Sequence, residues 1–420
     1  YDSARIRELK ESGADDWEIF KIQESYSDCI KEKRNEKKIN FSDKEIETQS
    51  SANKFATKLF TNISKDKDFK DKNLIFSPTS LQFALAMLAN GADDDEAYAE
   101  ITTALGKENI PLDELNDMYS KRLTNLKMVN PQKVNIGITN AAFIQKGLPI
   151  GKNFLQNIEG YYKAATNNVD FNEDSTYTKM DNWAEKSTNE MIKKLGIDKD
   201  PSLILVLANA LSFQSEWEEK FDTMRTEIGK FTTSTGEVKQ VEKMNHYFVG
   251  NYAEGENYQL VTLPFYEGFQ MNVVLPAEGV SPEAVLAEID FDNIKHKTED
   301  AGSFYILYSP RLSLPKFNID SKIKLNEMLK KIGLEKTFIA KFNNIVENAE
   351  VTNVKQLAHL EIDEDGAKGA AITLVELSGS AYMDEVVDVD VNRPFIVTIN
   401  NPKTHEMLFI GLINDPTLKN

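Results

Sequence analysis

Cysteine and histidine are nearly missing from this chain: one Cys, Cys29, and four His among 420 residues. A single thiol excludes an internal disulfide framework and any cysteine-based zinc site, while leaving the compartment open. The histidines, His246, His296, His359 and His405, form no metal-ligand pair, and no H-E-x-x-H, Walker A or G-x-S-x-G pattern occurs. A serine hydrolase needs a base such as His held by an acid. His359, in KQLAHLEID, alternates with apolar residues and reads instead as a strand histidine hydrogen-bonded in a core. The segment GAKGAA (366–371) lacks the spacing of a dinucleotide-binding loop. These absences argue against an enzyme and imply neither a cofactor nor a metal. Positive charge is also short, with 49 Lys and Arg against 67 Asp and Glu, a net −18. So acidic a chain, with no basic stripe, repels nucleic acid. No apolar run approaches the ~18 residues of a membrane helix; the densest lies at 203–211.

What is present is enough apolar material, 41% of residues, to bury a large core. The first residue is Tyr1 rather than Met, from which a processed or trimmed chain is expected, with any signal peptide out of view. Residues 1–45 are densely charged with mixed signs and weak helical periodicity, an N-terminal extension that reads as a solvated segment or, more sharply, as a tether to a surface. From residue 46 to 420 there is no linker, repeat or low-complexity tract, and one domain is expected. Its front half reads as helical. SANKFATKLFTNI (51–63) spaces apolar residues at three and four, and SLQFALAMLANGA (80–92) is apolar all round, as in a core helix. DDDEAYAEITTALG (93–106) opens with acids and stops at Gly. Further helices are expected at 112–127, 152–163 and 177–195. A short strand at 73–80 and runs at 133–144, 202–213, 258–265, 269–276, 304–317, 393–399 and 407–413 are β-rich and bounded by turn residues. Helices first and long strands later, without regular alternation, predict an α+β fold with large mixed or antiparallel sheets.

One stretch fits no core pattern. EIDEDGAKGAAITLVELSGSAYMDEVVDVDVNRPF (361–395) begins as a strand, breaks at Gly366, turns Ser/Gly-rich at 378–381 and acidic at 384–390. So long a loop is uncommon in a compact domain and usually functional. It nevertheless holds a strand pattern. Ala367, Gly369, Ala371 and Thr373 are small and share one face, while Lys368 falls on the other. The segment can enter a sheet without burying Lys368.

At these residues the chain resembles the serpin family, over residues 46–418. The run VDVNRPFIVTI (389–399) fits the family's C-terminal signature, and FSPTS (76–80), LANALSFQSEW (207–217), LPKFNI (314–319) and AHLEIDEDGAKGAA (358–371) match in order. The resemblance implies a serpin fold, about nine helices on three β-sheets, with an exposed reactive-centre loop at about 364–391. Composition, rich in Lys over Arg and in Asn and Ile, hints at an AT-rich genome and a microbial member. The family's shutter, a buried polar network controlling separation of the central sheet, falls on Ser77, Ser80, Asn209 and His359. Its breach, at the upper opening of that sheet, falls on Trp217, Lys316 and Glu364, with a Glu364–Lys316 ion pair expected. Trp217 reads equally as an ordinary large core residue.

By the same resemblance the loop is a bait. A protease cleaves it and forms an acyl-enzyme, and the freed segment inserts as a new central strand before the ester is hydrolysed, trapping the enzyme. The hinge is Glu364, Gly366, Ala367, Lys368, Gly369, Ala370 and Ala371. Its small residues favour inhibition over the alternative, a non-inhibitory binding or storage protein. It departs from the family in Lys368, where an acid is common, and Gly369, where Ala is common. Sixteen residues beyond Glu364, the reactive bond falls at Ser380–Ala381, small side chains that suit an elastase- or subtilisin-like protease. The loop is about three residues longer than usual, and Tyr382 or Met383 would instead select a chymotrypsin-like target. Papain-like cysteine proteases form a second target class. The helix at 112–127 mixes Lys121, Arg122 and Lys127 with Asp113, Glu114 and Asp117, so activation by heparin is not expected. A secreted or cell-surface monomer is implied.

Overall fold

The computed structural model describes residues 39–300, 305–351, 354–367 and 382–419. Every element below lies in Asp43–Asn420, one of the two units into which the chain divides.

Eight α-helices occur among the described residues, one fewer than the resemblance implies: α1 (Asp43–Ser64), α2 (Pro78–Ala89), α3 (Asp95–Ala104), α4 (Leu112–Lys127), α5 (Lys152–Gly160), α6 (Asp174–Ser187), α7 (Pro282–Val285) and α8 (Asn326–Lys331). In α2 nearly every side is buried. Its start is fixed by Ser77, whose hydroxyl accepts the Ser80 amide, and by Pro78 in the first turn. The helix expected over 177–195 stops at Ser187, because Asn189 and Glu190 take positive φ (50° and 65°) and end the helical path. Residues 188–204 then run without regular structure to the next strand.

The strands in chain order are β1 (Leu74–Phe76), β2 (Val134–Gln145), β3 (Ala165–Val169), β4 (Leu205–Glu216), β5 (Glu227–Thr232), β6 (Val238–Tyr247), β7 (Tyr252–Glu254), β8 (Tyr258–Pro264), β9 (Gln270–Pro276), β10 (Thr298–Asp300), β11 (Tyr305–Pro315), β12 (Phe317–Lys324), β13 (Lys355–Ile362), β14 (Gly366–Ala367), β15 (Tyr382–Asp390), β16 (Phe395–Asn401) and β17 (Glu406–Ile413). They form three sheet systems. One is six-stranded, β1-β17-β16-β9-β8-β7, with β16 and β17 buried along their whole length. A second runs β10-β11-β6-β5, with β15 parallel to β11 along its edge. The third is divided into β14-β4-β2-β3 and the pair β12-β13.

The strand β15 falls inside the stretch expected as the reactive-centre loop, about 364–391. Val389 is buried while Asp388 and Asp390 are exposed, so the DEVVDVD alternation was a half-buried strand after all.

Candidate functional site

The site is the line along which the third sheet is divided. At its top, β13 turns back on itself. Asp363 and Gly366 exchange backbone hydrogen bonds of 3.1 and 3.3 Å, closing a tight hairpin around Glu364 and Asp365. The returning strand, β14, lies antiparallel on β4, Gly366 opposite Glu216 and Ala367 opposite Ser215. Gly366 has φ +140°, and a Cβ there would stand 2.2 Å from the Ser215 carbonyl oxygen, so only glycine lets the hinge approach this closely.

Several side chains hold the hairpin. The Trp217 indole is 1% exposed, stacks on Phe265 at 4.2 Å and donates to the Asp363 carbonyl at 3.0 Å. Glu364 accepts from the Thr226 hydroxyl at 2.7 Å, and Lys316 Nζ stands 3.3 Å from Glu364 and 3.2 Å from Glu242. Burial pushes the Glu364 carboxyl up, but the Thr226 hydroxyl and the Lys316 ammonium outweigh it and hold the group below the usual glutamate range. For Lys316, burial lowers the ammonium, and its two carboxylate partners more than reverse that. Lys220 adds a 3.1 Å contact to Asp365. The predicted breach residues are thus gathered at one place.

Below Ser215 the two halves part. Among the described residues, β4 is laddered to β2 and β13 to β12, with no backbone pairing between β4 and β13. Between them lies a cavity of about 140 Å³, floored by α2 and lined by Leu205–Ala210 of β4 and Lys355–Leu357 of β13.

Of the predicted shutter residues, Ser77 and Ser80 meet at the start of α2, and Ser80 and Asn209 line the cavity, but His359 does not join them and its assignment needs correction. On β13 the buried positions are Gln356, Ala358, Leu360 and Ile362. His359 therefore points to the opposite face. There its Nδ1 lies 2.6 Å from Asp320 Oδ1 and its Nε2 3.9 Å from Glu361. The residue that meets α2 is Gln356: its amide accepts from the Ser77 N–H at 2.9 Å and donates to the Ser77 carbonyl at 2.8 Å. Sequence reading missed Gln356, although the alternation along KQLAHLEI was the available signal. Asn209, across the cavity, donates to Asn140 Oδ1 at 2.8 Å, and Asn140 in turn donates to the Tyr162 carbonyl. The Asn209 Oδ1 atom is buried without a hydrogen-bond partner.

Lys368, Gly369, Ala370, Ala371, Ser380 and Ala381 lie outside the described residues, as does Cys29. The chain resumes as β15, whose register sets Tyr382 opposite Tyr305 and Met383 opposite Ile306 of β11. Of the three cations weighed on α4, Arg122 is not on the surface: it is buried and reaches Glu406 at 2.6 Å, while Lys121 meets Glu45 at 2.8 Å.

Residues 50–416 match the family model described as serpin (serine protease inhibitor). Human neuroserpin is 28% identical over 367 residues, covering 84% of this chain and 88% of its own. The thermophilic serpin tengpin in its native state aligns with a TM-score of 0.77 at 30% identity, covering 90% of this chain and 95% of that one. The native, stressed form of Arabidopsis AtSerpin1 gives 0.74 at 25% identity, covering 90% and 100%. The divided sheet and its hinge hairpin agree with the matched model: this chain belongs to the serpin (serine protease inhibitor) family, a family of inhibitors rather than enzymes.

Proposed function

We propose that this serpin is a suicide inhibitor of an elastase- or subtilisin-like protease, cleaved between Ser380 and Ala381. The observation that carries the reading is the two-residue ladder of Gly366 and Ala367 on β4, standing above a channel whose walls have unused strand edges. The target's serine attacks the Ser380 carbonyl, the bond to Ala381 breaks, and an ester to Ser380 remains. The freed chain then continues the ladder downwards.

That register can be followed residue by residue. Gly369 would fall between Phe213 and Leu360, and Ala371 between Leu211 and Ala358, small side chains against filled walls. Lys368 would lie on the opposite face, between Gln214 and Glu361, where a charge has a partner. Thr373 would reach the level of Asn209 on one side and Gln356 on the other. Its hydroxyl would supply the donor that Asn209 Oδ1 lacks. Val375 and Leu377, opposite Leu207 and Leu205, would enter the cavity.

The pairing of Tyr382 and Met383 with β11 supports Ser380–Ala381 over the two alternative bonds, because a protease needs extended, unpaired backbone. A location outside the cell or at its surface goes with this target class.

The test is to mix the purified protein with neutrophil or pancreatic elastase, followed by a denaturing gel and mass spectrometry. A complex that survives SDS, with a released peptide beginning at Ala381, is expected. Complete cleavage without a complex by elastase-, subtilisin- and chymotrypsin-type enzymes alike would overturn inhibition and leave a non-inhibitory binding protein.

A further inference from the structure

We propose that the cavity between β4 and β13 is a binding site for a small apolar molecule carrying one hydrogen-bond donor. The walls supply the first half of that description. Leu81, Leu85 and Leu88 of α2, Leu205 and Leu207 of β4, and Ile345 enclose about 140 Å³. Apolar cavities of about 150 Å³ stay dry and admit benzene-sized guests.

The second half comes from Asn209, which lines the cavity and has a buried acceptor with no partner. Its amide cannot simply turn over. Nδ2 donates to Asn140 Oδ1, and Asn140 Nδ2 is committed to the Tyr162 carbonyl, so a flipped Asn209 would set two acceptors against each other. Gln356, also in the lining, has both ends of its amide engaged by Ser77. A guest with an N–H or O–H at one end therefore meets an acceptor held in place, and most of the remaining wall it meets is hydrocarbon, with Ser80 and Thr188 among the polar exceptions. A buried acceptor left unsatisfied is costly, so a donor gains more here than at a surface. Ile192 and Leu357 line both this cavity and the larger groove in front of β12 and β13, which gives a guest a way in.

Binding here has a regulatory consequence, and that part rests on the inhibitory reading above. The guest takes the space that Val375 and Leu377 need, and the acceptor that Thr373 needs. It therefore slows insertion and turns trapped protease into released protease. Before cleavage the loop is held at both ends, by Ala367 on β4 and Tyr382 on β11.

The probes are indole and benzofuran, which share size and shape but differ in that benzofuran has no N–H. Calorimetry and thermal melting of the intact, full-length protein should show saturable one-to-one binding of indole, with a rise in melting temperature. Indole should bind about tenfold more tightly than benzofuran, the worth of one buried hydrogen bond. Asn209→Leu should erase that difference, and Ala84→Phe, which fills the cavity from α2, should abolish binding of both. Equal affinities in the unmodified protein, no saturation, or undiminished binding to Ala84→Phe would each overturn the site. Ala84→Phe also serves if Asn209→Leu fails to fold. Added indole should raise the number of inhibitor molecules consumed per elastase trapped at least twofold. Trapping without indole binding removes this site alone, whereas discriminating indole binding without any trapping removes the inhibitory reading alone.

Discussion

The six-stranded sheet and the divided sheet are built from similar strands and reach opposite ends. In the first, β16 pairs with β17 on one side and β9 on the other, and all three are almost wholly buried. Its helical cover is tied on by buried polar bonds: Arg122 of α4 grips Glu406 of β17, which also accepts from the Thr79 hydroxyl of α2. In the second, β4 below Ser215 and β13 each leave one edge without a strand partner among the described residues, over a largely apolar cavity and a buried unpaired acceptor. Backbone groups withheld from a ladder and side chains facing a void represent free energy not yet gained. One sheet is finished and the other is held short of completion, which is what an inhibitor driven by strand insertion requires.

The comparison breaks most directly by cutting the loop. Cleavage at Ser380–Ala381 should complete the divided sheet. With about a dozen residues joining two ladders at about 1 kcal/mol net per hydrogen bond, the melting temperature should rise by about 20 °C or more. Calorimetry of intact and nicked protein checks this, and equal melting would mean the gap stays open. The finished sheet should respond to a different change. Glu406→Ala leaves Arg122 buried without its carboxylate and should cost about 3–5 kcal/mol, in the cleaved form as well as the intact one, as measured by denaturant unfolding. Thr373→Val should separate the two forms: it removes about 1–2 kcal/mol from the cleaved state by leaving Asn209 Oδ1 unsatisfied, while intact protein melts unchanged.

The smallest effect concerns the hinge. The Glu364 carboxyl is held below its ordinary value of 4.5, so its contribution is complete above pH 4.5 and is lost as pH falls through the lower folded value. Glu364→Gln should flatten that acid limb, read as the pH dependence of limited proteolysis at the hinge. An unchanged limb would assign the dependence to other carboxylates.

Much of this molecule could be read before any coordinates. The helix expected at 112–127 forms over those residues, and α2 is as buried as its all-apolar composition demands. The breach could be read too, because Trp217, Lys316 and Glu364 are distinctive residues within matched motifs. Two errors share one cause. Assigning His359 to the shutter took a polar residue in the right strand without counting parity, and parity put Gln356 there. Placing 384–390 within the reactive-centre loop overlooked its alternation, which β11 turns into a ladder.

The sequence by itself determined the family, the α+β class and the small-residue hinge, since these depend on residue identity and local spacing. Only the tertiary structure decided that β4 and β13 stand apart, that Asn209 keeps an unpaired acceptor and that Gly366 already lies on β4. Those facts concern which strands meet across more than a hundred residues, and no local pattern encodes whether two compatible edges are joined or held open.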